Sequence, residues 1–566
     1  AAVPLFAGDH VYKVSDKVLE HLQKAGRLVA SESYVHSYPH SWRSKKPVIF
    51  RNTPQWFISM DATELRQTAL RAIEETRWIP ESGENRIRSM VETRPDWCVS
   101  RQRAWGVPIC VFVNKKTGEP LRDPEVIERV ALSVDKHGAD VWFTEDPSEF
   151  LGPNYVPNDY AQVHDILDVW FDSGSTHSFV LENDQSQRWP ADLYLEGTDQ
   201  HRGWFHSSLL EACGTRGRAP YKEVLTHGFV MDGAGKKMSK SLGNVVSPQK
   251  IIEQGGADIL RLWVANTDYT EDMRIGPEIV NGMVDTYRRL RNTFRFLLGN
   301  LSSFQENEKI DVGEMPELDR WVLHRIGELD ATLRSSIEDY SFHTLYSAIH
   351  NFCASDLSAF YFDIRKDALY CDAPTSIRRR AARTVLDKLF YCLTSWLAPA
   401  LVFPSEEAWL ARFPSSADSV HLQLFPEIPG EYLDYDLASR WERVREIRKV
   451  VTGALEVERS EKSIGSSLEA CVQLHLLHEK DLDLVAGLDM AELSICSTVE
   501  VIQRPSEKGA YSLDGVDGVF VHVEGAPGKK CDRCWQYSGE VGHMKAHPQL
   551  CKRCCSVIMQ GDISGA

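Results

Sequence analysis

Twelve consecutive residues, Gly233-Ala234-Gly235-Lys236-Lys237-Met238-Ser239-Lys240-Ser241-Leu242-Gly243-Asn244, hold three lysines, three glycines and two serine hydroxyls. These residue types suit a polyphosphate. Glycines let the backbone approach, N–H groups point at oxygens, and ammonium groups neutralise charge. The spacing is not GxxxxGK[ST], so the loop is not a P-loop. A lone Lys-Lys pair reads as a solvated basic turn; the whole string Lys237-Met238-Ser239-Lys240-Ser241 is far more specific.

A second constellation lies near the C-terminus. Cys531-Asp532-Arg533-Cys534 and Cys551-Lys552-Arg553-Cys554 form C-x2-C-x16-C-x2-C. Each pair offers two thiolates from a tight turn, and two pairs complete a closed tetrahedral site. Four sulfurs with no open position favour one structural Zn2+. His543 and His547 could compete as ligands, but four cysteines suffice, and Cys555 is spare. Lys529, Lys530, Arg533, Lys545, Lys552 and Arg553 surround the site. Six cations on a small module suit RNA phosphate, or are an ordinary charged surface.

A third stretch, Glu196-Gly197-Thr198-Asp199-Gln200-His201-Arg202-Gly203-Trp204-Phe205, follows the apolar Leu193-Tyr194-Leu195. Glu196, Asp199 and Gln200 fall where a strand's carboxyl end presents them. There, carboxylates can bind an ammonium group or ribose hydroxyls, or Asp199 can simply cap a helix. Gly197 and Gly203 allow close approach.

The elements that must position these groups are legible in outline. Val224 to Val230 reads as a buried strand before the lysine loop, and Ser247-Pro248 as a helix start after it. Leu167 to Phe171 reads as another buried strand delivering Asp172-Ser173-Gly174-Ser175, where doubly wound α/β folds place ligands. Asp258 is expected to cap a helix beginning near Gly256. Before these, Ser15 to Ala30 reads as one amphipathic helix, and Val48-Ile49-Phe50 and Trp56-Phe57-Ile58 as strands. His40, near Trp42, reads as a packed structural histidine.

From Pro277 the period becomes that of long helices. Met283, Tyr287, Leu290, Phe294, Leu297 and Leu301 share one face. Further helices are expected at 318–333, 342–364 and 376–397, which together make a bundle. Arg288, Arg289, Arg291 and Arg295 form one basic cluster; Arg378, Arg379, Arg380 and Arg383 form a second. Each is a solvated face or an RNA contact. Phe413 to Asp436 reads as a linker, Ser439 to Arg459 as a helix, and Val472–Leu476 and Val519–Val523 as strands.

At 566 residues the chain is too long for one core. With 43% hydrophobic and 26% charged residues it is ordinary globular material. A net charge of −17 argues against bulk nucleic-acid binding but leaves room for local basic patches. No apolar run reaches the roughly 18 residues that span a membrane. Thirteen cysteines, several scattered singly, point to a reducing compartment, hence the cytoplasm. A chain that opens Ala1-Ala2-Val3 without Met is expected to be partial.

The lysine loop resembles the KMSKS signature of class I aminoacyl-tRNA synthetases, and Leu242-Gly243-Asn244 fits its continuation. Asp96-Trp97-Cys98-Val99-Ser100-Arg101-Gln102-Arg103-Ala104-Trp105-Gly106 is similar to a segment of the isoleucine, valine and leucine members. Residues 52–57 and 199–205, with the knuckle opening Cys531-x-x-Cys534-Trp535, resemble the bacterial-type isoleucine branch; the valine branch is the alternative.

The resemblance implies a fold class of multidomain α/β plus α: the second half of a doubly wound nucleotide fold, a helical bundle, a small α/β unit and a zinc knuckle. Its expected boundaries are 1–52 (end of an editing insertion), 53–275 (catalytic half, KMSKS loop), 276–436 (anticodon bundle and linker), 437–523 (small α/β unit) and 524–566 (zinc module). It implies ligation of isoleucine to tRNA(Ile) through an adenylate, with ATP and Mg2+, by a monomer. Lys237, Ser239 and Lys240 would serve catalysis. Glu196, Gly197, Asp199 and Gln200 would contact the adenylate, and His227-Gly228 would lie beside adenine. No His-x-Gly-His occurs, so the resemblance also implies that the first half of the enzyme is missing, and with it the editing pocket. A non-catalytic tRNA-binding fragment is the reading from another class.

Overall fold

The computed structural model describes residues 3–41, 44–415, 418–504 and 509–563, the side chains of 560–563 excepted. Trp42 lies outside the described residues. Two compact units emerge, one of residues 1–59 with 96–168 and the other of 60–95 with 169–566.

The first unit buries Phe112, Val126, Val130, Val141, Trp142, Phe150 and Leu151 together. The helix Pro124–His137 starts where Asp123 accepts from the Glu125 N–H at 2.9 Å, with proline in its first turn. The helix expected over 15–30 covers only Ser15–Lys24. It stops before Gly26, which takes φ +65°, a conformation that ends helices. Residues 48–50 form no strand; beside them only an isolated bridge joins Pro47 to His40. Phe57–Ile58 does pair, antiparallel to Trp97–Cys98. The run expected as one buried strand from Leu167 divides. Ile166–Leu167 pairs antiparallel with Ser100–Arg101, whereas Val169–Gly174 is helical. A short apolar run carries too little periodicity to separate strand from helix.

The second unit is built on a parallel sheet. In chain order its pieces are α1 (Leu65–Glu74), β1 (Arg77–Ile79), α2 (Ser82–Glu92), β2 (Ala191–Gly197), α3 (Trp204–Arg216) and β3 (Tyr221–His227). The strand order is β1-β3-β2, all parallel. Leu225 stands opposite both Ile79 and Leu195, and Gly197 opposite His227. Parallel strands are covered on both faces, so β3 buries Val224, Leu225 and Thr226 in succession.

Helix α3 is buried from Phe205 to Cys213 and has no polar face. Trp204 stacks on Tyr194 with ring centroids 4.1 Å apart. Burial holds two ionisable groups of α3 neutral. It pushes the His206 imidazole down to about 3, with the Arg94 charge adding to it. It pushes the Glu211 carboxyl up to about 9, with Asp172 adding. An unfolded glutamate ionises near pH ~4.3, so between there and about 9 the unfolded chain sheds a proton that the native state keeps. Stability therefore falls as pH rises through that window. Glu211→Gln is expected to raise stability at pH 7 by on the order of 3 kcal/mol and to flatten this slope. Thermal unfolding against pH reads it, and an unchanged slope refutes it. His206 acts at the other end: its contribution is lost as pH falls from ~6.5 towards about 3.

After β3 come β4 (Val230–Asp232), α4 (Pro248–Gly255), α5 (Ala257–Ala265) and β5 (Met273–Ile275), with β4 parallel to β5. Helix α4 begins at Ser247-Pro248 as expected, although the Ser247 hydroxyl turns to Gln249 rather than to the backbone. Asp258 does not cap its own helix. Its Oδ2 accepts from the Phe403 N–H at 3.0 Å, capping a helix distant in sequence.

The bundle comprises α6 (Pro277–Asn300), α7 (Glu317–Glu338), α8 (342–371, with π-helical geometry over Phe352–Phe362), α9 (Ile377–Leu397) and α10 (Val402–Arg412). Beyond it, α11 (Tyr435–Ser460) lies against a sheet of β6 (Ala470–Leu476), β7 (Thr498–Ile502) and β8 (Val519–Gly525). Central β6 is parallel to β7 and antiparallel to β8. One apolar core runs from Leu262 through Trp396 and Trp441 to Val521. The stretch read as a linker carries two 3-10 turns that bury Val420 and Tyr432. The last helix is α12 (Lys552–Ile563). Among the described residues, no helix is long and apolar enough to cross a membrane.

Candidate functional site

The carboxyl ends of β2 and β3 bring one predicted group of residues together. Glu196 pairs in register with Thr226 and Gly197 with His227. The chain then turns through Thr198–Arg202 into α3. A Cβ on Gly197 would stand 2.7 Å from Asp199 Oδ1 and 3.7 Å from His227 Cε1, so glycine is what lets these side chains converge. Gly228 has a different constraint: a Cβ there would meet Glu271 O at 2.3 Å. Its glycine is required by backbone packing, whatever lies beside it.

Asp199 is not the helix cap. The Gln200 side chain takes that part, its Oε1 accepting from the Trp204 N–H at 3.0 Å while its amide donates to Asp199 Oδ2 at 3.2 Å. Asp199 and Glu196 are thereby left exposed at the strand end. His227 Nδ1 lies 2.9 Å from Gly228 O; a carbonyl only accepts, so Nδ1 carries the proton and Nε2 is an acceptor. Beside these residues is a crevice of about 380 Å3 lined by Arg86, Thr198, His201, Thr226, Gly228 and Glu271, among others.

The lysine loop leaves β4 three residues after Gly228-Phe229 and is held from inside. Asp232 Oδ1 accepts from the N–H groups of Ala234 and Lys236 at 3.0 and 2.8 Å, and its Oδ2 from Asn244 Nδ2 at 2.9 Å. Asn244 in turn accepts from the Ser239 N–H at 2.9 Å and donates to Lys237 O at 3.2 Å. These bonds to the charged form keep the Asp232 carboxyl below the usual range. The Ser239 and Ser241 hydroxyls lie 3.1 Å apart. Lys236, Lys237 and Lys240 are exposed, and among the described residues no carboxylate lies within 4.0 Å of their ammonium groups. The strand-end residues thus converge, and the lysines stand on a braced, solvent-facing hairpin that follows them.

Asp232 is the residue that sequence reasoning passed over. The signal was available: an aspartate just before Gly-Ala-Gly is the residue type that folds its carboxylate onto the next N–H groups. Asn244→Ala removes the far anchor of that brace. It is expected to lower loop function several-fold while the thermal midpoint stays unchanged, since the Asn244 brace lies at the surface and the hairpin's apolar contact with the core is made by Met238; a fall in stability of the whole unit would contradict this.

The four cysteines of the knuckle lie together. Cys531, Cys534, Cys551 and Cys554 are buried with their sulfurs within 4.8 Å of one another, Cys534 and Cys551 being 3.8 Å apart. Soft thiolates in a closed tetrahedral set fit Zn2+. All thirteen cysteines are unpaired by disulfides. The six surrounding cations do not act as one RNA-facing set. Arg553 forms a fork on Asp367 at 2.5 and 2.7 Å, and Arg533 donates to Cys371 O and Tyr370 O. Both arginines dock the knuckle onto the end of α8. Lys530 lies over Trp535.

The bundle's second arginine cluster is also internal. Arg378 binds Asp367, Asp372 and Glu492; Arg379 donates to Leu369 O; Arg380 donates to the carbonyls of Asn307, Glu308 and Lys309; and Arg383 pairs with Glu308. Guanidinium forks satisfy carbonyls that loop ends leave unpaired. The first cluster, Arg288, Arg289, Arg291 and Arg295, remains exposed on α6.

Residues 5–276 match the family of class I tRNA synthetases (I, L, M and V), residues 319–474 the anticodon-binding domain of tRNA ligase, and residues 528–557 the zinc finger found in FPG and IleRS. The isoleucine–tRNA ligase of Brucella abortus (strain 2308) is 53% identical over 549 residues, 96% of this chain and 56% of that protein. That of Gluconobacter oxydans (strain 621H) is 52% identical over 568 residues, 98% of this chain and 58% of that protein. The chain thus spans somewhat over half the length of these relatives. Among solved structures, the apo methionyl-tRNA synthetase of Mycobacterium tuberculosis aligns with TM-score 0.48 and 15% identity, over 70% of this chain and 71% of that one.

Proposed function

The chain belongs to the class I aminoacyl-tRNA synthetases, and from that premise we propose that it carries the KMSKS-loop half, the tRNA-binding bundle and the zinc knuckle of an isoleucine–tRNA ligase. The reaction is ATP-dependent attachment of isoleucine to tRNA(Ile), in the cytoplasm, by a monomer. One observation carries the reading. The Asp232–Asn244 brace fixes the hairpin backbone, and among the described residues no carboxylate lies within 4.0 Å of the ammonium groups of Lys237 and Lys240, just after the strand ends that gather Glu196, Asp199 and His227.

In the first step the isoleucine carboxylate attacks the α-phosphorus of ATP, a new O–P bond forms and pyrophosphate leaves in line. In the second, the terminal hydroxyl of tRNA attacks the carbonyl of the mixed anhydride and releases AMP. The residues position and neutralise, with no covalent intermediate on the protein. Lys240 meets charge developing at the leaving phosphates, Lys237 holds the outer phosphates, and Ser239 supplies a hydroxyl donor. Mg2+ accompanies ATP, bound mainly by phosphate oxygens. Glu196 and Asp199 are free to take the substrate ammonium and ribose hydroxyls, with Gln200 fixing Asp199, Gly197 giving room, and His227-Gly228 flanking the base. The zinc centre holds the knuckle in its docked shape and takes no part in adenylate formation.

Isoleucine-dependent pyrophosphate exchange, measured after restoring the chain to the length of its relatives, tests the proposal. Exchange dependent on valine instead would replace isoleucine by its rival; no exchange with either, alongside intact tRNA binding, would favour a non-catalytic RNA-binding piece.

A further inference from the structure

The knuckle is tied to two modules at once. On the bundle side, Arg553 forks Asp367 and Arg533 donates to two carbonyls at the end of α8. On the other side stands Ser497, the residue before β7. Its hydroxyl accepts from the Tyr537 N–H of the knuckle at 2.8 Å and donates to Leu468 O at 2.5 Å. A chain of alternating charge runs through the same joint. Arg378, at the start of α9, donates to Asp367 and Asp372 at 3.1 Å each and to Glu492 at 3.2 Å. Glu492 lies on the short helix Met490–Ser494 of the α/β unit and also accepts from Arg365 at 2.6 Å. Arg365 in turn pairs with Asp319. The order is therefore Arg553, Asp367, Arg378, Glu492, Arg365, Asp319. Side-chain exposure falls from 34% at Arg553 to 0% at Asp319, and pairs this far from water are screened weakly. Asp367 and Glu492 are each shared by two guanidinium groups, so a change at one end alters what the next group meets.

We propose that the knuckle is a metal-set latch on the joint between the bundle and the small α/β unit. In its loaded shape it holds the helix Met490–Ser494 and the turn at Ser497 against α8 and α9, and Arg378 and Ser497 carry the coupling. The inference rests on the reading of the four cysteines as a zinc site. The metal fixes the two Cys-x-x-Cys turns, and those turns carry Arg533 and Arg553. Without it, so small a module has little core to keep them in place. Coupling between two sites is reciprocal. A metal that tightens the joint is therefore itself held more tightly while the joint is intact.

Zinc content, zinc affinity in competition with a chelator, and backbone amide exchange, all on the whole chain, test the latch. The parent is expected to hold zinc; a parent that binds none would overturn the zinc reading, and the latch with it. Removing the metal is expected to speed exchange over 490–502 as well as over 529–556, and to leave β3 as it was. Arg378→Met and Ser497→Ala are each expected to weaken zinc binding at least about 5-fold, the low end of coupling between sites. Neither residue is a metal ligand, and Ser497→Ala removes only one hydroxyl, so it decides the matter if Arg378→Met does not fold. Arg412→Ala breaks an ion pair with Asp387 elsewhere in the bundle and is expected to bind zinc like the parent. With zinc bound in the parent, any of three results would overturn the latch alone. These are faster exchange confined to the knuckle on metal removal, parent-like affinity in both joint variants, and equal weakening in Arg412→Ala.

Discussion

Lys240→Ala, in the enzyme restored to the length of its relatives, is expected to slow isoleucine-dependent pyrophosphate exchange by about 10²–10³-fold, the usual cost of removing one preorganised charge-stabilising group. The argument is geometric. The ammonium group has no carboxylate within 4.0 Å among the described residues, so no ion pair there uses its charge. The backbone beneath it is fixed by Asp232 and Asn244, so the side chain is presented rather than loose. Because the lysine is exposed, its loss should leave thermal stability within about 0.5 kcal/mol. Lys240→Arg keeps the charge but not the compact ammonium geometry, and should recover only part of the rate. Unchanged exchange in Lys240→Ala would remove the lysine from the mechanism.

Arg365→Met is expected to destabilise the second unit by about 3–5 kcal/mol, the range for stripping one partner from a buried ion pair. Arg365 is 2% exposed and Asp319 0%. The guanidinium binds Asp319 through two nitrogens and Glu492 at 2.6 Å, while the Tyr361 hydroxyl donates to Asp319 at 2.6 Å. One arginine therefore ties α7 and α8 to the short helix Met490–Ser494. Without it, two carboxylates sit in the interior beside one remaining cation, Arg378, which reaches Glu492 at 3.2 Å. Chemical unfolding measures the loss. Replacing Asp319 by Leu in the same chain should restore much of it, because an apolar pair of similar volume avoids the uncompensated charge. Equal loss in single and double variants would mean that packing at Arg365, not charge, decides the matter.

The same network shows where sequence reading reaches its limit. Arg378-Arg379-Arg380 is visible as a basic run, and a basic run on a helix is read as a solvated or RNA-facing surface. Beside its near neighbours Asp367, Leu369 and Asp372, it meets carbonyls and a carboxylate from segments some seventy or more residues away, Asn307–Lys309 and Glu492. Local capping makes Asp258 the expected cap of its own helix and offers Asp199 the same part as an alternative to a substrate contact. The fold gives the first to Phe403 and hands the second's task to Gln200. The division at Leu167–Phe171 has the same origin: a five-residue run with four apolar residues fits either period, and long-range pairing with Ser100–Arg101 decides.

By itself the sequence determined whatever depends on spacing along the chain. That includes the four sulfurs of the knuckle, the lysine hairpin with its serines and asparagine, the strands around Leu193–Leu195 and Val224–Val230, and the long helices of the bundle. Their periods and turn residues are local, and local geometry follows from them. Only tertiary structure decided which charges are free to act. Among the described residues it left Lys237 and Lys240 without an acidic partner, consumed Arg533 and Arg553 in docking, and buried Glu211 and His206 in neutral form. Burial and pairing are properties of neighbours brought in from elsewhere in the chain, and no window of sequence contains them.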